Sequence, residues 1–132
     1  MQTHLALLRG INVSGHNMIK MADLKVVLDE MGIYDINTYL QSGNVVFSSE
    51  LESCNKLETA ITEAVHKSFG FDIKVKVIEK DSFQKVFLNN PFMKDTEIDT
   101  KQLYYIHLMG EPDVTVFKEL LNDEKIPEKM SL

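Results

Sequence analysis

Cysteine, tryptophan and long apolar runs are scarce or absent in this sequence of 132 residues. The single cysteine, Cys54, excludes an intrachain disulfide and fits a reducing compartment. No apolar run approaches the roughly 20 residues that a membrane-spanning helix needs, so an integral helical membrane protein is not expected. The first residues carry no basic segment ahead of their apolar stretch. We therefore expect no secretory signal and a cytoplasmic protein.

The sequence also has fewer basic than acidic residues. The chain has 14 Lys and Arg against 20 Asp and Glu, which gives a formal net charge of −6. An acidic protein repels phosphate backbones at long range, so general nucleic-acid binding is not expected, although a local basic patch is compatible with this balance. The 44% hydrophobic and 26% charged fractions are those of an ordinary globular chain.

The spacing of apolar residues predicts the order β-α-β-β-α-β over the first 80 residues. Apolar runs at 5–8 and 45–47 predict strands that are covered on both faces. Helical spacing after residue 20 and again after a capping box of Asn55 and Glu58 predicts two helices. Right-handed crossovers in this order give the split βαβ, or ferredoxin-like, sheet with strand order 4-1-3-2. We predict an α+β protein with a ferredoxin-like subdomain over residues 1–80.

Residues 81–132 predict a linker helix followed by the opening β-α pair of a second, incomplete ferredoxin-like subdomain. Its strand at 103–109 is strongly apolar, and a last helix follows around Phe117. One strand and one helix do not make a sheet, so the strand offers an unpaired edge to another chain. An interaction or assembly role, as a homodimer through strand 103–109, is therefore the alternative function. Light scattering that shows a monomer would exclude it.

A candidate ligand site follows from the predicted topology. Strand 1 ends at the same edge of the sheet at which the hairpin between strands 2 and 3 turns, so residues 9–20 and 41–44, here named the loop edge, lie together. A glycine-containing loop before a helix N-terminus favours an anion, and an arginine binds carboxylate or phosphate through two parallel bonds. For a small anionic ligand, the predicted binding residues are Arg9, Asn12, Asn17, Lys20, Gln41, Ser42 and Asn44.

Turn and cap chemistry is the competing interpretation of the same residues. Asn and Gly also serve tight turns, and Asp35 and Glu30 are candidate ion-pair partners for Arg9. No catalytic residue can be assigned, and whether the protein is an enzyme stays open. The four histidines have no partner at metal-ligand spacing, so we expect neither a metal nor another cofactor. RNA-recognition modules stack bases on aromatic residues of their central strands, where this chain offers only Phe47.

Two segments of the sequence carry a family resemblance. They are Ala6-Leu7-Leu8-Arg9-Gly10-Ile11-Asn12-Val13, continued by Gly15, Asn17 and the helix residues Met21-Ala22-Asp23-Leu24, and then Tyr39-Leu40-Gln41-Ser42-Gly43-Asn44-Val45-Val46-Phe47. Both closely resemble the bacterial domain-of-unknown-function family 1697 (DUF1697). The resemblance implies an uncharacterised, soluble, cytoplasmic α+β protein with two ferredoxin-like halves and no established activity.

The sequence departs from this family at two sites and at its end. Ser14 stands where the family usually has Gly, and His16 where a basic residue is common, which weakens a phosphate-cradle interpretation of the loop. Family members normally continue, past the length of this sequence, to a Thr-Arg-Asn-Trp segment. That segment is missing here, in keeping with the absence of Trp. The resemblance therefore implies the first half of the family fold plus the beginning of the second.

Overall fold

A computed structural model describes residues 1–39, 41, 43–51, 53–94 and 111–122. The chain divides into two compact units, Met1–Phe87 and Leu88–Leu132. In the second unit the described elements are a 3-10 helix, Pro91–Lys94, and a helix, Val114–Leu121. The predicted strand 103–109 lies outside the described residues. Within the described part of the chain, no helix is long and apolar enough to cross a membrane.

The first unit contains a four-stranded antiparallel sheet with the order β2-β3-β1-β4. Along the chain the elements are β1 (Gln2–Arg9), α1 (Met21–Glu30), β2 (Tyr34–Tyr39), β3 (Asn44–Ser49), α2 (Cys54–Phe69), β4 (Lys74–Glu79) and α3 (Lys80–Leu88). The helix Val114–Leu121 of the second unit is named α4. The predicted α+β class is confirmed, and the two apolar runs form the two central strands.

One face of this sheet packs against α1 and α2. Along β1, His4, Ala6 and Leu8 are buried, whereas the residues between them are only half-buried. Leu28 from α1 and Ile61 from α2 belong to the same buried cluster. The period of two along the strands therefore separates a core face from a second face, here named the open face. In register, the open face consists of Thr3, Leu5, Leu7, Arg9, Tyr34, Asn37, Tyr39, Asn44, Val46, Ser48, Lys74, Lys76 and Ile78.

The start of α2 differs from the sequence prediction. The helix is capped by Ser53, whose hydroxyl accepts a hydrogen bond from Lys56 N at 3.4 Å, so a capping box that begins at Asn55 is wrong. Glu58 instead accepts from Val77 N at 2.9 Å, with Lys76 Nζ 3.4 Å away. Because β4 is an edge strand, its outward N–H groups have no neighbouring strand to bind. The carboxylate of Glu58 accepts the hydrogen bond of one such group, Val77 N.

His4 is the unusual member of the core. It is fully buried, its ring stacks on Phe47 with centroids 5.5 Å apart, and neither ring nitrogen has a hydrogen-bond partner among the described residues. A neutral imidazole carries one N–H donor and one acceptor nitrogen. Each polar atom that is buried without a partner costs about 1–3 kcal/mol of stability.

Replacement of His4 by leucine should therefore stabilise the protein. We expect His4→Leu to raise the free energy of unfolding by about 1 kcal/mol, since it removes two unsatisfied polar atoms and gives up only the ring stacking. Urea denaturation of both proteins measures the difference, with His16→Leu at an exposed loop position as the control. A loss of stability in His4→Leu would mean that the imidazole has a partner in solution.

Candidate functional site

The loop between β1 and α1 is built around residues with a positive φ. Ser14 (φ 50°) and Gly15 (φ 76°) form the centre of a tight turn, in which His16 N donates to Val13 O at 2.9 Å. Positive φ at both central residues is the signature of a type I′ turn. Asn12 and Asn17 also have a positive φ, which asparagine tolerates better than most residues. The loop is therefore a small hairpin with a defined shape.

Asn12 joins the two segments of the loop edge. Its side-chain nitrogen donates to Ile19 O and to Gln41 O, both at 2.9 Å, and its Oδ1 accepts from Ile19 N at 2.7 Å. Its backbone N also donates to Asn17 O at 3.1 Å. One amide side chain thus ties the base of the loop to the turn between β2 and β3, and the segments that the sequence predicts to meet are in contact.

Asn17 has a similar local task, since its side-chain nitrogen donates to Gly10 O at 3.0 Å. Both N–H donors of the Asn12 amide and one of the two of Asn17 are therefore occupied by backbone carbonyl groups. The observed contacts of these two side chains are therefore those of the turn-and-cap interpretation. These contacts fix the shape of the loop, and the predicted contact of Asn12 and Asn17 with a ligand stays a prediction.

The turn between β2 and β3 lies directly against β1. Leu8 N donates to Gly43 O at 2.9 Å, and Gly43 has a φ of +78°. A Cβ atom at this position would lie 2.8 Å from Leu8 O and from Ile11 Cδ1. Glycine is therefore required here both for the backbone conformation and for the close approach of two backbone segments. Ser42, a predicted site residue, lies outside the described residues.

Arg9 and Lys20 are the exposed cations of the loop edge. Arg9 has no ion pair with a described residue, so the predicted alternatives Asp35 and Glu30 do not neutralise it there. In the β1–β4 ladder Arg9 stands opposite Lys74, which is also exposed. Lys20 is the N-cap residue of α1 and supplies no side-chain hydrogen bond to the helix. Gln41 is exposed and Asn44 is half-buried opposite Leu7.

Sequence reasoning missed Lys74 as a member of this site. The alternation of lysines in β4 was a usable signal, and it predicts an edge strand with one lysine-bearing face. Which lysine faces Arg9 depends on the register between β1 and β4, however. Local sequence does not specify that register.

The described residues contain no group of three or more His, Cys, Asp or Glu that could hold a metal ion. Burial, with the carboxylates of Glu79 and Glu58 nearby, raises the pKa of the Cys54 thiol, which makes it a poor nucleophile at neutral pH. A shallow depression of about 400 Å³ lies along the exposed side of α2, lined by Asn55, Lys56, Thr59, Ala60 and Glu63. It is on a different element from the cations of the loop edge.

Among solved structures, the chain is similar to the conserved bacterial protein SP0830 from Streptococcus pneumoniae, with a TM-score of 0.62 and 26% sequence identity. The similarity covers 71% of this chain and 52% of that chain, so the present chain spans about half the length of that relative. No curated protein matches the chain.

The family comparison extends over more of the sequence. The model of one family, described as a protein of unknown function (DUF1697), matches residues 1–132. Both signature segments lie in this match, and they are the segments that form the loop edge. The chain therefore belongs to the DUF1697 family.

Proposed function

We propose that the protein binds a small anionic ligand at the loop edge, and that Arg9 and Lys74 are its cationic contacts. The observation that carries the proposal is the pairing of these residues directly across β1 and β4, both exposed and without an acidic partner among the described residues. Like charges in directly opposite positions destabilise a sheet. An anion between them removes the repulsion and gains charge-assisted hydrogen bonds.

The remaining predicted residues receive different roles in this proposal. Asn12 and Asn17 hold the loop in one conformation, which lowers the entropy cost of binding. Lys20 is a further exposed cation of the loop edge, at the N-terminus of α1 on the helix side of the sheet. Gln41, which is exposed, adds a polar side chain on the hairpin side, and Ser42 and Asn44 stay predicted members of the site.

The proposal predicts a measurable affinity for an inorganic polyphosphate. Isothermal titration of the full chain with tripolyphosphate should give saturable binding. The double variant Arg9→Gln, Lys74→Gln should weaken it at least tenfold, because each charge-assisted hydrogen bond contributes about 1.5–3 kcal/mol.

The matched control is the double variant Lys25→Gln, Lys67→Gln. It removes the same total charge from exposed positions on α1 and α2. If both double variants lose affinity equally, the attraction is a general effect of net charge and the site assignment fails. If the unsubstituted chain does not bind tripolyphosphate, the proposed function is wrong.

Several finer expectations belong with this proposal. We infer that residues 1–80 form a ferredoxin-like subdomain and that 81–132 begin a second one. The strand order β2-β3-β1-β4 supports the first inference. A cytoplasmic location and the alternative assembly function remain predictions. The homodimer would form through residues 103–109, which lie outside the described part of the chain.

A further inference from the structure

The open face of the sheet has a charge distribution opposite to that of the whole chain. Among its residues, all of which are described, Arg9, Lys74 and Lys76 are basic, and no position is occupied by Asp or Glu. The chain as a whole has 20 acidic residues and a net charge of −6. Basic residues without acidic ones at the paired positions of this face suit an anionic occupant.

Flat and apolar surface lies next to these cations. One row in register crosses all four strands and consists of Tyr39, Asn44, Leu7 and Lys76. Tyr39 is 69% exposed, and Val46 in the adjacent row is 43% exposed although it lies on a central strand. Arg9 follows Leu7 by two residues, which is about 7 Å along β1. An aromatic ring, an amide and an aliphatic side chain are therefore presented beside the cationic pair.

We propose that the ligand of the loop edge is a nucleotide, whose phosphates bind Arg9 and Lys74 and whose base lies on Tyr39 and Leu7. This inference rests on the proposed function, since it assigns the anion site to the phosphates. A base has a flat π-face that can stack on the exposed ring of Tyr39 and contact the aliphatic side chain of Leu7. Lys76 is held by Glu58 at 3.4 Å, so it contributes less to the phosphate site than Lys74 does.

Charge favours a free nucleotide over the two other candidate occupants of the open face, a longer nucleic acid and a second copy of the chain. The row from Tyr39 to Lys76 spans three inter-strand spacings, about 14 Å. A longer phosphate backbone would extend past the cations of this row, and the net charge of −6 of the chain disfavours it at long range. A second copy of the chain would bring the same cations against each other if the two open faces were stacked. A single nucleotide places its negative charge only where the cations are.

The test compares ligands with and without a base on the full chain. Isothermal titration should give about tenfold tighter binding of ATP than of tripolyphosphate, because stacking of the base adds to the phosphate contacts. Tyr39→Leu should remove this advantage and leave the affinity for tripolyphosphate unchanged. Tyr34→Leu is the matched control, since Tyr34 is on the same face but in the row of Ser48, away from the cationic pair.

The outcomes separate this inference from the proposed function. Equal affinities for ATP and tripolyphosphate, or an ATP affinity that does not respond to Tyr39→Leu, would overturn the nucleotide assignment and leave the anion site intact. Absence of binding by both ligands would remove both proposals. A short single-stranded oligonucleotide that binds more tightly than ATP, with loss in Tyr39→Leu, would identify the occupant as a nucleic acid and overturn the assignment to a free nucleotide.

Discussion

Gly43→Ala should lower the free energy of unfolding by about 2–4 kcal/mol. Two costs combine at this position. The φ of +78° is unfavourable for alanine, and the added Cβ would lie 2.8 Å from the backbone oxygen of Leu8. The contact with Ile11 Cδ1, also 2.8 Å, can be relieved by a rotation of that side chain, but the contact with the backbone oxygen cannot.

The turn therefore has to move away from β1 in this variant. Such a movement stretches the hydrogen bond from Leu8 N to Gly43 O, which is 2.9 Å long in the native protein. Urea denaturation gives the loss of stability. Amide exchange at Leu8 reports whether the turn has separated from the strand.

Gly15→Ala is the matched control for the conformational part of this effect. Gly15 has nearly the same φ, +76°, but nothing lies within 4 Å of the position of its missing Cβ. Only the backbone cost of about 1–2 kcal/mol is expected there. Equal losses in the two variants would mean that the close approach of the turn to β1 contributes nothing.

The order and type of the elements in the first unit could be predicted because local apolar spacing identifies them. The runs at 5–8 and 45–47 form the two central strands. The expectation that both faces of these strands are covered is wrong at Val46, which is 43% exposed on the open face. Helix α1 ends where Gly32, with a φ of +75°, allows a left-handed residue. The boundaries of such elements follow from residue spacing and need no knowledge of distant contacts.

The site was less accessible to sequence reasoning because its members depend on register and on distant partners. Asparagine in a glycine-containing loop is equally compatible with ligand binding and with turn formation. Only the position of Gln41 O, 29 residues away, decides the role of Asn12. Lys74 belongs to the site through its register with Arg9. Glu58 shows the same limit. Its position near the start of α2 suggests a helix cap, but its hydrogen-bond partner, Val77 N, lies on the edge strand β4, 19 residues further along the chain.

Asn12→Gly should destabilise the protein by about 2–4 kcal/mol, through the loss of three side-chain hydrogen bonds that contribute about 0.5–1.5 kcal/mol each. Glycine is the informative replacement because it adopts the φ of 54° without strain. The N–H and C=O groups of Ile19, in a residue that is only 2% exposed, would both lose a partner. Urea denaturation measures the loss, and amide exchange at Ile19 locates it.

Asn17→Gly serves as the control, because the side chain of Asn17 makes one such bond, to Gly10 O. The φ of Asn17 is 49°, so glycine is again tolerated. A loss of about 1 kcal/mol is expected from a single hydrogen bond. A loss as large as that of Asn12→Gly would contradict the assignment of Asn12 as the residue that joins the two segments.

Stability and affinity should respond in opposite ways to changes at Asn12 and at Arg9. Asn12→Gly should lower the stability and reduce tripolyphosphate affinity only a few-fold, since Arg9 and Lys74 remain in place. Arg9→Gln should weaken binding about tenfold or more and leave the stability unchanged or slightly higher, because it removes the repulsion across β1 and β4. If Asn12→Gly abolished binding without loss of stability, Asn12 would itself contact the ligand, and the cationic pair would not be the centre of the site.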